Sequence, residues 1–411
     1  MTPAAFGIDG PRLHQRIASL AELGAIEGGG VARLALTAED KAGRDRVVAW
    51  MREQALEVSV DRIGNVFGVR AGSQDLAPVV IGSHIDTVRT GGRFDGNLGV
   101  LAGLEIVQTL DGLGMKTRRP VAVAFFTNEE GARFAPDMMG SMVHQGHLPL
   151  AEMLAVVGID GVVLSDALAE IDYAGMHPCP GAVPHAFLEL HVEQGPVLER
   201  EGVTIGAVTG VQGISWTEVV FDGVSNHAGT TPMAMRQDAG FGAAALAVFA
   251  RNLATELSGA QVATVGAISL HPNLVNVIAR RAQLTVDLRN TDEAVLCNAE
   301  QRLHSEIERI CATEELSSTV RSLARFEPVQ FDPKLIARVE HTAKALGHSV
   351  RRLPSGAGHD AQAFAPNCPT TMIFVPSIGG ISHNVSEFTT QEHVEAGANV
   401  LLQMMLELAN E

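Results

Sequence analysis

The sequence predicts a two-domain α/β protein, in which a mostly parallel α/β catalytic domain is interrupted by an inserted ferredoxin-like α+β unit. Three observations predict it. Short apolar runs, Val79-Val80-Ile81, Val121 to Phe126 and Met372 to Val375, read as buried strands and alternate with stretches of helical period. From about Gly210 the texture changes to a β-α-β-β-α-β order, the pattern of a separate α+β unit. At 411 residues, the chain is also longer than one ordinary core serves.

Each element follows from local signals. Thr37-Ala-Glu-Asp40 reads as a capping box that opens a helix carrying Val47, Val48, Met51 and Leu56 toward a core. Beyond the Val79 strand, Leu98 to Leu110 has helical periodicity, Pro120 punctuates, and Val121 to Phe126 returns as a strand. That alternation is the rhythm of a parallel sheet. Leu188, Leu190 and Val192 alternate with Glu189, His191 and Glu193, so His191 belongs on the strand face opposite those apolar residues. In the inserted unit, Thr217 to Asp222 is a strand running into a turn, Gly240 to Leu257 an alanine-rich helix, Val262 to Ser269 and Leu284 to Leu288 strands, and Glu293 to Thr313 a helix. The simplest division is 1–209 and 327–411 for the catalytic domain, with 210–326 between its halves. Internal repeats and low-complexity tracts are absent from the sequence.

Composition excludes several classes. Hydrophobic residues make up 46% and charged residues 19%, as in a globular enzyme. No apolar run reaches the roughly 18 residues of a bilayer span. A formal charge of −17 with no basic cluster argues against nucleic acid as a partner. Met1-Thr-Pro-Ala-Ala-Phe6 lacks the basic head and apolar stretch of a secretion signal, so the expected location is the cytoplasm. Cys179, Cys297, Cys311 and Cys368 are scattered without a C-x-x-C pair, against both a disulfide framework and a thiolate zinc site.

The chemistry-bearing residues gather after the predicted strands. His84 and Asp86 fall at the carboxyl end of the first, Glu129 and Glu130 at that of the second, and His383 lies in a Gly-rich turn after Met372 to Val375. Open α/β sheets place their sites at that edge. Imidazole nitrogen and carboxylate oxygen are ligands for Zn2+, so His84, Asp95, Glu130, His191 and His383 are the candidate metal ligands. Two ions a few ångström apart need a bridging carboxylate, and Asp95, in the tight turn Phe94-Asp95-Gly96, is best placed for it. Asp86, two residues past His84, is expected to accept from the second imidazole nitrogen and fix its tautomer. Adjacent glutamates on an extended backbone point apart, so Glu130 ligates while Glu129 faces the substrate water as general base.

Taken together, GSHIDTVRTGGRFDG (82–96), TNEEGARF (127–134), ELHVEQGPVLE (189–199), SNHAGTTPM (225–233), SGAGHDAQ (355–362) and GISHN (380–384) resemble the dinuclear zinc amidohydrolases of the aminoacylase and carboxypeptidase superfamily. The match is to the branch of N-carbamoyl-L-amino acid hydrolases, β-ureidopropionases and allantoate amidohydrolases, and it covers nearly the whole chain. The resemblance implies two divalent ions per subunit, Zn2+ first, with Mn2+, Co2+ or Ni2+ as alternatives. One would be held by His84 and His191, the other by Glu130 and His383, with Asp95 bridging. It implies that the inserted unit dimerises two subunits and closes as a lid. That lid would bring His227 to the oxyanion, from its own or the partner subunit, and Arg289 to the substrate carboxylate. Gln194, Asn276 and the backbone of Gly356-Ala357-Gly358 match further substrate contacts, while His359 and Asp360 read as loop-shaping residues. The implied reaction is hydrolysis of the ureido C–N bond of N-carbamoyl-L-amino acids or N-carbamoyl-β-alanine to amino acid, carbon dioxide and ammonia. Allantoate and N-acyl or N-formyl amino acids are alternative substrates. A binding protein without catalysis is the alternative from another class, and loss of Glu129 or a ligand would have signalled it.

Overall fold

The structure, a computed structural model, describes residues 6–411; residues 1–5, which carry most of the stretch read for a secretion signal, lie outside the described residues. The chain divides into two compact units, Met1–Gly210 with Gln330–Glu411, and Val211–Val329.

The larger unit is built on a nine-stranded sheet. At its centre, Val121–Phe126, Val79–His84, Ala186–Val192 and Thr370–Val375 lie side by side and parallel. Every residue of these four strands is buried, which is why Val79-Val80-Ile81, Val121 to Phe126 and Met372 to Val375 read as apolar runs. Glu189 and His191, on the strand face opposite Leu188, Leu190 and Val192, are buried as well. Antiparallel strands flank the centre: the hairpin Glu57–Val60 and Val66–Arg70 beyond Val121–Phe126, and Ile205–Val211 beyond Thr370–Val375. Helices Asn97–Gly112 and Gln391–Ala409 pack on the central strands. Among the described residues no helix is long and apolar enough to cross a membrane.

Helix Ala38–Glu53 starts as its sequence suggests, with the Thr37 side chain accepting from the Asp40 amide. The reciprocal half differs: Asp40 accepts from the Leu36 amide at 2.7 Å and pairs with Arg44. The helix ends at Glu53, so Leu56 reaches the core from the loop beyond it.

The smaller unit is a four-stranded antiparallel sheet of Ser317–Phe326, Gly213–Asp222, Arg281–Asn290 and Val262–His271, in that spatial order. Helices Ala239–Leu257 and Glu293–Glu314 close a core containing Phe221, Leu246, Leu284, Leu288, Leu303 and Ile307. Its chain order is β-α-β-β-α-β.

Candidate metal centre

The parallel strands end level, with His84 paired to Phe126 on the last rung of their ladder. Past that rung, each chain turns to deliver side chains to one place. His84 is the last residue of its strand and His191 the next-to-last of its own. Asn128, with φ 58°, turns the chain out of extended geometry directly before Glu129 and Glu130. Adjacency therefore does not separate the two glutamates, and both line the same cavity of about 90 Å³. Asp95 sits in its tight turn before helix Asn97–Gly112. The turn needs glycine at 96, because φ is +64° and a Cβ would lie 2.4 Å from the His84 ring.

Asp95 is the hub. One carboxylate oxygen lies 3.2 Å from His191 Nε2 and 3.7 Å from His84 Nε2. The other lies 3.4 Å from His383 Nε2, which is 3.2 Å from Glu130. Glu129 Oε2 stands 3.4 Å from His84 Nε2. Gln194 Nε2 donates to Asp95 at 3.0 Å, while Gln194 Oε1 is buried without a hydrogen-bond partner. Asn128, Gln194 and His383 all have positive φ without being glycine. Backbone strain of this kind, on the order of 1–3 kcal/mol each, collects where side chains must be aimed.

The imidazoles are oriented from behind by backbone carbonyls: His84 Nδ1 meets Asp86 O at 2.9 Å and His191 Nδ1 meets Val192 O at 2.9 Å. The Asp86 carboxylate does not take the role expected of it. It lies 4.0 Å from His84 Nδ1 and instead accepts from the amides of Glu129 and Glu130, each at 3.3 Å. A backbone carbonyl is closer to the ring than a side chain that must fold back. His359 packs edge-on to His191 at 4.5 Å and bonds Ser355 through Nε2 at 2.8 Å. Ala357 and Gly358 line the same cavity.

The electrostatics follow from burial and crowding. Burial works against charge on His191, but its hydrogen bond to Asp95 and the pull of Asp95 and Glu189 win, raising its pKa to about 9. His383 is raised to about 9 by its hydrogen bond to Glu130. Asp95 is held below the usual carboxylate range; burial opposes this, and His191, His84 and His383 outweigh it. Glu129 is pushed well above that range by burial first, then by Asp360 and Glu130.

This donor set fits divalent cations. His84, Asp95 and His191 form one group, and Asp95, Glu130 and His383 another, with the ligand atoms of each group within 4.8 Å of one another. Asp95 belongs to both through different oxygens. The Nδ1 contacts of His84 and His191 leave Nε2 as the atom directed at the hub. Asp86, Asp95, Glu129, Glu189 and Asp360 are all buried around His84 and His191. So many buried acids call for compensating positive charge. A larger cavity of about 270 Å³ lies elsewhere in this unit, against Phe67, Phe364 and His144. His144 Nδ1 is tied to Asp61 at 3.0 Å, and the convergent donor set is at the smaller cavity.

His227, Asn276 and Arg289 belong to the smaller unit. His227 is exposed, and its Nδ1 accepts from the amides of Gly229 at 3.0 Å and Thr230 at 3.3 Å. The imidazole proton therefore sits on Nε2. A β-bridge between His227 and Val277, with Ala228 N donating to Asn276 O at 2.9 Å, ties the His227 and Asn276 segments together. Arg289 binds Asp287 through Nε and Nη2, with Nη2 to Oδ2 at 2.9 Å, and lies 6.0 Å from the Trp216 ring centroid.

Two further buried residues at the site carry no sequence signal. Arg33, fully buried, donates to Ile85 O at 2.7 Å and Asn97 Oδ1 at 2.7 Å, bracing the backbone on both sides of the site. Glu387 accepts from the amides of Phe94 and Asp95 at 3.0 and 3.1 Å.

A parallel sheet with a histidine–carboxylate cluster at its carboxyl edge defines a metal-dependent hydrolase class, and comparison with known proteins agrees. Residues 80–407 match the model of peptidase family M20/M25/M40, and the chain belongs to that family. It is 41% identical to an N-carbamoyl-L-amino-acid amidohydrolase of Rhizobium meliloti over 98% of this chain and 97% of that one. To an allantoate amidohydrolase of Escherichia coli it is 34% identical, over 97% of each chain. Among solved structures, an amidase of the hydantoinase/carbamoylase family from Burkholderia multivorans superposes with a TM-score of 0.96 at 46% identity, covering 98% of this chain and 99% of that one.

Proposed function

We propose that this protein hydrolyses the ureido C–N bond of N-carbamoyl-L-amino acids, N-carbamoyl-β-alanine included, using two divalent ions, Zn2+ in the first instance. The observation that carries the reading is Asp95, which offers one oxygen to His84 and His191 and the other to His383, with Glu129 beside them. The family is metal-dependent, and the 41% identical relative is named for this substrate class.

His84 and His191 would hold one ion, Glu130 and His383 the other, and Asp95 would bridge. When bound, such ions supply Lewis acidity that activates water and polarises a carbonyl. Glu129 takes the proton of the attacking water. Glu129, 3.4 Å from His84 Nε2 and lining the same cavity, then passes that proton to the leaving nitrogen. Water oxygen adds to the ureido carbon, the C–N bond to the amino acid breaks, and the carbamic acid released decomposes to carbon dioxide and ammonia. Gln194 Oε1, buried and without a partner, accepts from a ureido N–H. His227 Nε2–H donates to the oxyanion. Arg289, held by Asp287 and flanked by Trp216, grips the α-carboxylate, with Asn276 and the Ala357-Gly358 backbone as further contacts.

The smaller unit acts as lid and dimerisation surface in this reading. Phe241 and Val248, seven residues apart on one helix, are 54% and 61% exposed, and Ile268 on the edge strand is 51% exposed. A second copy would cover this apolar face and the open strand edge.

The test is ammonia release from N-carbamoyl-L-methionine, N-carbamoyl-β-alanine and allantoate, with formate release from an N-formyl amino acid measured alongside, after chelation and after return of Zn2+, Mn2+ or Co2+. Preferred turnover of a carbamoyl substrate that chelator abolishes supports the proposal. Preferred turnover of allantoate, or turnover that survives complete metal removal, overturns it.

A further inference from the structure

The loop bearing His383 and the turn bearing Asp95 are far apart in sequence, yet a single carboxylate joins them. Glu387 is 4% exposed, and its Oε1 accepts from the amides of Phe94 at 3.0 Å and Asp95 at 3.1 Å. Its Oε2 lies 3.0 Å from Ser382 Oγ, and the same hydroxyl lies 3.1 Å from Asp95 Oδ2. The Glu387 amide donates to Asn384 O at 3.0 Å, closing a turn directly after His383. Room for the carboxyl group is built in at Gly92, where a Cβ would fall 2.1 Å from Glu387 Oε1.

His383 needs such a tie more than the other imidazoles do. His84 and His191 are nearly completely buried on strands of the central sheet, whereas the His383 side chain is 50% exposed on a loop at φ 52°. Its distances to Asp95 and Glu130 are therefore set by where the loop is pinned.

We infer that Glu387 is a positioning residue that fixes the span between Asp95 and His383, and so governs affinity at the Asp95–Glu130–His383 half of the centre while leaving the His84–His191 half nearly unchanged. This inference rests on the dinuclear reading above. It adds two residues, Glu387 and Ser382, to those that determine how many ions are held.

The experiment counts ions bound per subunit by metal-free wild type and by Glu387→Ala, Glu387→Asp, Glu387→Gln and Ser382→Ala, titrated with Zn2+ and with Mn2+, alongside thermal melting. In Glu387→Ala, the weaker of two sites should lose affinity by ~10-fold or more, the scale seen when a group behind a ligand is removed. Glu387→Asp, too short to reach both partners, and Ser382→Ala, which cuts only the hydroxyl arm, should lose several-fold at that site. Glu387→Gln, whose Oε1 still accepts both amides, should stay close to wild type. If Glu387→Ala does not fold, the Asp and Ser382 variants decide the question. Wild type that binds two ions, with variants that melt lower but bind both as wild type does, overturns the positioning role. Wild type that binds fewer than two ions overturns the dinuclear reading on which it rests.

Discussion

His84 Nδ1 is bound by the backbone carbonyl of Asp86, at 2.9 Å, and the Asp86 carboxylate reaches past it to the amides of Glu129 and Glu130. One residue thus orients a ligand with its main chain and aims the two glutamates with its side chain.

Asp86→Asn separates those two tasks. The carbonyl that fixes the His84 tautomer is untouched, while the side chain loses one of its two acceptors and the turn carrying Glu129 loosens. Activity should fall by ~10- to 100-fold with ion binding at His84 retained. Loss of that ion, measured by counting bound metal, would assign the carboxylate to the imidazole instead.

Arg289→Lys should weaken substrates with an α-carboxylate by ~10- to 100-fold in kcat/KM, the range for hydrogen bonds to a charged group, because an ammonium cannot reproduce the planar fork. An amide-capped analogue should change far less. Equal losses on both would make the Asp287–Arg289 pair structural.

Metal uptake should release protons. With His191 and His383 both raised to about 9, each carries a proton at neutral pH in the metal-free protein, the first because of Asp95 and Glu189, the second because of Glu130. An arriving ion must displace these protons, so apparent affinity should climb with pH and level off above about 9. Calorimetric titration in buffers of different ionisation heat reads the proton count. Affinity independent of pH between 6 and 9 would mean that these imidazoles do not ligate.

Much of this was legible in the sequence, for physical reasons. Fully buried parallel strands leave apolar runs, so Val121–Phe126 was readable to the residue, and Gly-rich turns marked where His84, Asp95 and His383 leave the sheet. The Glu57–Val60 and Val66–Arg70 hairpin was not, because its outer strand is only partly buried and its alternation is weak. Adjacency in an extended chain would make Glu129 and Glu130 diverge, but the strand ends at Phe126 and Asn128 turns the backbone. Arg33 reaches Ile85 and Glu387 reaches Phe94 across 52 and 293 positions, and contacts at such separations leave no periodic trace.

Subunit mixing tests the proposed lid. If His227 serves the partner's site, His227→Ala and Glu129→Gln, each inactive alone, should regain activity on exchange, since one site of the mixed dimer then has neither defect. Verified exchange without recovery would confine His227 to its own subunit or remove it from catalysis.

The most direct measurement is made on Glu129→Gln. The amide cannot accept the proton of the attacking water, yet His84, Asp95, Glu130, His191 and His383 all remain. Turnover of N-carbamoyl-L-methionine and bound metal should be measured on the same sample. A fall in kcat of ~10²-fold or more with ion content equal to wild type is expected, the scale of general-base catalysis. A near-native rate at full metal occupancy would contradict the role given to Glu129 and with it the proposed mechanism.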